Sequence, residues 1–156
     1  MISIRRILVP TDLRDASIPA VRYGADIADK FGAELVLLSV VHDLALAVPD
    51  AVMPTPVGAP DLEALIAASK DGMTNLIGEL GIGRLNPRTE VRIGAPAAEI
   101  VAAAGDLKAD LICLGTHGRS GLAHLLLGSV AEKVIRHAPC PVLTVRSGTG
   151  GAPPVK

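Results

Sequence analysis

GTHGRSGLAHLLLGSV, residues 115–130, lies between a strand-like run, ADLICLG (109–115), and a helix-like run, SVAEKVIRHA (129–138). It sets Gly115, Gly118 and the pair Gly128-Ser129 on a G-x2-G-x9-G-S spacing. A glycine-rich loop that leaves a strand and enters a helix is how α/β proteins hold phosphate. Glycines let the backbone approach an anion, and unpaired N–H groups at the positive end of the helix dipole attract it. The alternative is that Gly115 and Gly118 only permit a turn with positive φ. That reading is weaker, because both glycines are paired with Gly128-Ser129 at a helix start.

The rest of the chain repeats the alternation of strand and helix. Residues 4–10, IRRILVP, read as a strand ending at Pro10-Thr11-Asp12. Ala20, Val21, Gly24, Ile27, Ala28 and Phe31 then recur on one helical face, and Gly32 is a natural stop. Residues 34–41, ELVLLSVV, form a nearly continuous apolar strand of the kind buried on both faces of a parallel sheet. The stretch 43–60 holds Pro49, Pro54, Pro56, Gly58 and Pro60 without periodicity, and is expected to be a mobile loop or a lid over a ligand. Asp61 suits the N-cap of a second helix, whose stripe is Leu62, Leu65, Ile66, Ser69, Met73, Leu76, Ile77 and Leu80. A third strand follows at 88–93. A third helix opens with Pro96 in its first turn and turns Ala97, Ile100, Val101 and Ala104 to the core. Strand four is 109–115, helix four 129–138 and strand five 141–146. The tail 147–156, SGTGGAPPVK, is expected to be disordered. One domain spanning 1–146 results, an α/β fold with an open five-stranded parallel sheet and helices on both faces. Ligands of such sheets bind at the carboxyl ends of strands where the strand order reverses. The exits of strands one and four, Pro10-Thr11-Asp12 and Leu114-Gly115, are the most polar and glycine-rich.

Composition excludes several classes. The formal net charge of −1 provides no basic footprint for nucleic acid, and Tyr23 and Phe31 are the only aromatics, so bases have no stacking platform. Although 49% of residues are hydrophobic, no apolar run approaches the roughly 20 residues a membrane span needs. MISIRRILVP runs into a strand without a small-residue cleavage site, so a cytoplasmic protein is expected. Cys113 and Cys140 make neither a disulfide framework nor a metal site, and both are expected to be buried thiols.

Individual residues carry competing readings. Ser129-Val130-Ala131-Glu132 has the form of a capping box, with Ser129 capping the helix and Glu132 reaching back. The same hydroxyl can also donate to a phosphate oxygen. Asp12 suits a turn, but as a carboxylate at a strand mouth it can accept from an adenine amino group or a ribose hydroxyl. It would repel phosphates, so it belongs at the opposite end of a nucleotide from the glycine loop. His117 and Arg119 are loop residues that can donate to an anion.

With these residues in place, the chain resembles the ATP-binding branch of the universal stress protein family. The match runs from ILVPTDLRDASIPAV through ADLICLGTHGRSGLAHLLLGSVAEKVIRHAPCPVLTVR. The G-x2-G-x9-G-S spacing and the APCPV element are its specific marks. The resemblance implies a sheet in the order 3-2-1-4-5, of the Rossmann-like adenine nucleotide α-hydrolase type, and a homodimer through the last strand, 141–146. It implies adenine near Pro10, Thr11, Asp12 and Val41. It implies phosphates on Gly115, His117, Gly118, Gly128, Ser129 and Val130, beside which the strand exit and the loop place Leu114 and Arg119. Mg2+ would be held mainly by the phosphates.

Catalytic signatures are missing. The chain has no P-loop G-x4-G-K-[ST], no G-x-G-x-x-G behind the first strand, no nucleophile elbow and no clustered metal ligands. An ATP-binding regulatory module of the stress response is therefore expected, with at most slow hydrolysis or autophosphorylation. The alternatives are a nucleotide hydrolase or adenylate-transferring enzyme on the same fold, a dimer that has lost its ligand, and a binder of AMP or a cyclic nucleotide. TDLRDAS lacks the glycines an adenylate-transferring enzyme would carry at its first strand exit, and the intact glycine spacing speaks against loss of ligand.

Overall fold

A computed structural model describes residues 1–42, 61–116 and 127–146. The elements are β1 (Arg6–Pro10), a 3-10 turn (Asp15–Ser17), α1 (Ile18–Phe31), β2 (Glu34–Val41), α2 (Leu62–Glu79), a second 3-10 turn (Gly83–Leu85) and β3 (Arg88–Ile93). They continue with α3 (Pro96–Asp106), β4 (Leu111–Gly115), α4 (Ser129–His137) and β5 (Val142–Val145). The stretch 43–60, the residues 117–126 and the tail 147–156 lie outside the described residues, and with them the expectations of a lid, of a disordered tail and of the roles of His117, Gly118 and Arg119.

All five strands are parallel, in the order β3-β2-β1-β4-β5. Alternation of side chains divides the core in two. Ile7, Val9, Leu35 and Leu37 face α1 and α2 on one side, whereas Leu8, Val36, Leu38 and Ile112 face α3 and α4 on the other. Each fully buried Leu or Ile contributes about 1.5–3 kcal/mol, and the middles of β1 and β2, residues 7–9 and 35–38, are accordingly apolar throughout. Gly24 lets α1 lie close to β1, since a Cβ there would sit 2.5 Å from Val9 Cγ2. Gly32, at φ 63°, closes α1 in the left-handed conformation.

Helix boundaries follow the local signals except in three places. Phe31 ends α1 at 48% exposure instead of joining its buried face, and Leu62 at the start of α2 is also exposed. The first lies on the last turn of its helix and the second on the first turn, where the helix has passed the edge of the core. The third exception is the N-terminus of α4, described below. At the amino ends of the strands, the Asp110 carboxylate accepts from the backbone N–H groups of Arg5 (2.8 Å) and Arg6 (3.0 Å). The Arg6 guanidinium pairs with Glu34 and donates to the Leu107 carbonyl. The polar ties at this end leave the carboxyl ends of the strands as the open edge. Among the described residues no helix is long and apolar enough to cross a membrane.

Candidate functional site

The chain runs outward from β1 to β2 and β3, and α3 then carries it back to β4 on the other side of β1. The strand order therefore reverses between β1 and β4, and their carboxyl ends diverge into a crevice. A cavity of about 640 Å³ opens there, within the range of small-molecule sites. Pro10, Thr11, Asp12, Val41, Leu114, Gly115, Gly128, Ser129 and Val130 all line it. Nine residues expected at a ligand site, seven from strand exits and the glycine spacing and two, Val41 and Val130, from the family resemblance, are thus gathered around one cavity.

At the β1 exit the hydroxyls are committed to the protein. Thr11 is buried, its N–H donates to the Leu38 carbonyl (2.9 Å), and its Oγ1 lies 2.8 Å from Ser17 Oγ. Thr11 Oγ1 also accepts from Leu13 N–H, and Asp12 Oδ1 accepts from Arg14 N–H. These two side-chain turns hold Leu13 at φ 62°, a left-handed conformation that strains a non-glycine residue. The Leu13 side chain is seated on α2, where a Cβ on Gly72 would meet Leu13 Cδ1 at 2.6 Å. One carboxylate oxygen of Asp12 is occupied by the turn, and the group is half-exposed at the mouth of the cavity.

The β4 exit is built differently. Thr116 N–H donates to Val145 O, and Thr116 O accepts from Gly128 N–H at 2.6 Å. Both ends of the intervening loop are thereby tied at the strand exit. Gly115 does not serve a positive-φ turn, since it lies in extended β4 and does not appear among the left-handed residues. A Cβ on it would lie 3.4 Å from Ala16 O, at the edge of ordinary contact, where β4 runs beside the turn after β1. The capping-box expectation is corrected as well. Gly128, with φ −72° and ψ 160°, is the N-cap of α4, and Ser129 is its first helical residue. Glu132 is turned away to Arg136, at 2.9 Å. Because Thr116 holds Gly128 N–H, the helix begins one residue earlier than the S-x-x-E pattern implies. The N–H groups of Ser129, Val130 and Ala131 have no acceptor within their own helix, and among the described residues no side chain caps them. Helix α2, by contrast, is capped by Asp61, which accepts from Glu63 N–H.

Strand and helix exits did not point to Leu13, Leu65, Ala68, Ser69 or Ser39, which also line the cavity, as does His42 at the end of the second strand. The signals for two of them are serines standing in the apolar run ELVLLSVV and in the apolar stripe of α2. Among the described residues no group of His, Cys, Asp and Glu side chains is placed to hold a metal ion. Cys113 is buried and donates to Ala20 O, whereas Cys140 is only half-buried, contrary to expectation, because it sits on the short connection between α4 and β5.

The universal stress protein family model matches residues 3–146. A universal stress protein of Methanocaldococcus jannaschii is 38% identical over 158 residues, covering 91% of this chain and 82% of that relative. The solved universal stress protein UspA from Lactobacillus plantarum aligns with a TM-score of 0.72 at 28% identity, over 92% of this chain and 99% of its own. A universal stress protein solved in complex with cAMP aligns with a TM-score of 0.62 at 26% identity, over 94% of this chain and 99% of its own.

Proposed function

The chain belongs to the universal stress protein family, and from that premise we propose that it binds ATP in the crevice at the carboxyl ends of β1, β2 and β4, as a nucleotide-responsive regulatory module of the stress response. One observation carries the reading. The cavity joins a carboxylate-bearing strand exit, Pro10-Thr11-Asp12, to an uncapped helix start, Gly128-Ser129-Val130. The first suits base and ribose, which offer donors to a carboxylate, and the second suits phosphates, which seek N–H groups and the positive helix end. In this reading Leu114 and Gly115 form the floor between them, Val41 flanks the base, and His117, Gly118 and Arg119 complete the phosphate loop. Bound ATP supplies a triphosphate whose presence or absence separates two states of the protein. Mg2+ would be held by the phosphates and water, as that ion often is.

Fast phosphoryl transfer needs a positioned nucleophile and dense positive charge around the γ-phosphate. The sequence carries no P-loop lysine, nucleophile elbow or clustered metal ligands to supply them, which supports a binding role with slow turnover at most. A second reading, an AMP or cyclic-nucleotide binder, is favoured by the structural neighbour solved with cAMP. The proposal includes a homodimer through 141–146. It is supported by the position of β5 at the sheet edge, where its outer row of N–H and C=O groups can pair with a second strand.

The test is mass spectrometry of nucleotide released from freshly purified protein, with calorimetric titration of ATP, ADP, AMP and cAMP. Carried-over ATP with ATP as the tightest ligand is the expected result. Tightest binding of AMP or cAMP would select the second reading, and no binding to any of the four would overturn both.

A further inference from the structure

Ser39 is the one polar residue inside β2, in the run Glu34–Val41, and it is 6% exposed. By alternation with Leu35 and Leu37 it lies on the α1/α2 side of the sheet. Its hydroxyl makes no hydrogen bond among the described residues. Yet every fully buried side-chain polar atom described has a partner, so the Ser39 oxygen must keep contact with open space, and the space this residue lines is the cavity. Ser69, on the facing helix α2, lines the same cavity, and the neighbouring wall is apolar: Leu13, Leu65 and Ala68. A hydroxyl left unpartnered in such surroundings is unfavourable unless a ligand or water satisfies it.

We propose that Ser39 is a specificity-determining residue that hydrogen-bonds the amino-bearing edge of adenine, with Ser69 completing the polar end of an otherwise apolar base slot. The inference rests on the nucleotide reading above and extends it to the α2 side of the cavity. β2 is two strands from β4, roughly 10 Å across the sheet, so the group that reaches Ser39 is not the one held at Ser129. Ser39 and Ser69 are neutral and share the cavity wall with Leu13, Leu65 and Ala68, which suits a flat base and not a phosphate. A base tethered to ribose through N9 enters with its N1 and 6-amino edge foremost, and that edge meets the deepest polar group. A serine hydroxyl can accept from the amino group while donating to a second acceptor.

The test is a cycle between protein and ligand. Wild type and Ser39→Ala are each titrated with ATP and with purine riboside triphosphate, which lacks only the amino group, and both proteins are melted without ligand. Wild type should prefer ATP about tenfold, equivalent to about 1.4 kcal/mol, and Ser39→Ala should lose most of that preference, Asp12 remaining as the other acceptor at the base, with an unchanged or raised melting temperature. A cycle in which the two deletions act independently would overturn the assignment, as would a melting temperature lowered by the substitution. If wild type binds neither ligand, the nucleotide reading itself falls and this inference falls with it.

Discussion

The two ends of the cavity are both strand exits lined with hydroxyl groups, yet they are built on opposite plans. At the β1 exit, Thr11 Oγ1 and Ser17 Oγ bond to each other, Thr11 also anchors the Leu13 N–H, and Ser17 donates to Arg14 O. The hydroxyls there are spent on shaping a strained turn, and only Asp12 is offered outward. At the start of α4 the hydroxyl of Ser129 is exposed, the cap is a glycine without a side chain, and the first N–H groups are uncommitted. A turn that must keep one shape consumes its polar groups, whereas a surface that must receive an anion keeps them available. The same residue type, serine, thus has a structural role six residues after Thr11 and, in the proposed function, a recognition role at 129.

The strongest challenge to this contrast is charge. Ser129→Asp should leave the fold intact, since a carboxylate is favourable in the first turn of a helix. ATP affinity should nevertheless fall about 100-fold or more, because a lost charge-assisted contact is worth about 1.5–3 kcal/mol before repulsion is added. Calorimetry against a melting curve separates the two effects, and undiminished affinity would remove α4 from the phosphate site. Next in size, Ser17→Ala should destabilise the fold by about 1–3 kcal/mol, because it leaves the buried Thr11 O–H without its acceptor. Ser129→Ala should change stability by less than about 0.5 kcal/mol. Denaturant unfolding of the pair would erase the distinction if both substitutions cost the same.

Thiol chemistry sharpens the comparison between core and surface. Burial pushes the Cys113 thiol up to about 12, so it should resist a disulfide reagent at neutral pH until the protein unfolds. Cys140 is raised as well, first by desolvation and then by the charge of Asp110, but it is only half-buried and should be modified slowly in the native state. Equal rates for both would contradict the burial described. The smallest effect is expected at the amino ends of the strands. Hydrogen bonds from the N–H groups of Arg5 and Arg6 hold the Asp110 carboxyl below its ordinary value. Its stabilising contribution is complete above the unfolded carboxylate pKa of about 4, and is lost as pH falls through the lowered folded value. Asp110→Asn should therefore flatten the acid limb of the stability profile, and superimposable acid titrations of the two proteins would show that the cap contributes nothing.

Much of this arrangement could be read without coordinates because it is written in short-range patterns. The alternation of apolar runs with helical stripes specifies strand and helix, and the proline and glycine positions mark where they stop. The seven described residues expected at the strand exits and glycine loop all reach one cavity, because strand carboxyl ends in a parallel sheet necessarily point the same way. The misplaced details are those in which distant atoms compete with a local signal. Ser129 satisfies the capping pattern, but the Thr116 carbonyl captures Gly128 and moves the cap by one residue. Phe31 keeps helical phase with Ala28 but lies on the last turn of its helix, past the core's edge.

The chain's own periodicities determined the element order and its glycine spacing marked the loop at one strand exit, since each depends on neighbours a few residues apart, whereas the strand order that opens the crevice was implied by the family resemblance. Tertiary packing alone decided the third wall of the cavity. Leu13 settles on Gly72, and Ser39 faces the helix that carries Ser69, across separations of 59 and 30 residues in the chain. No local pattern encodes such a meeting, because it is selected by the complementary shapes of side chains that become neighbours only when α2 packs against the sheet.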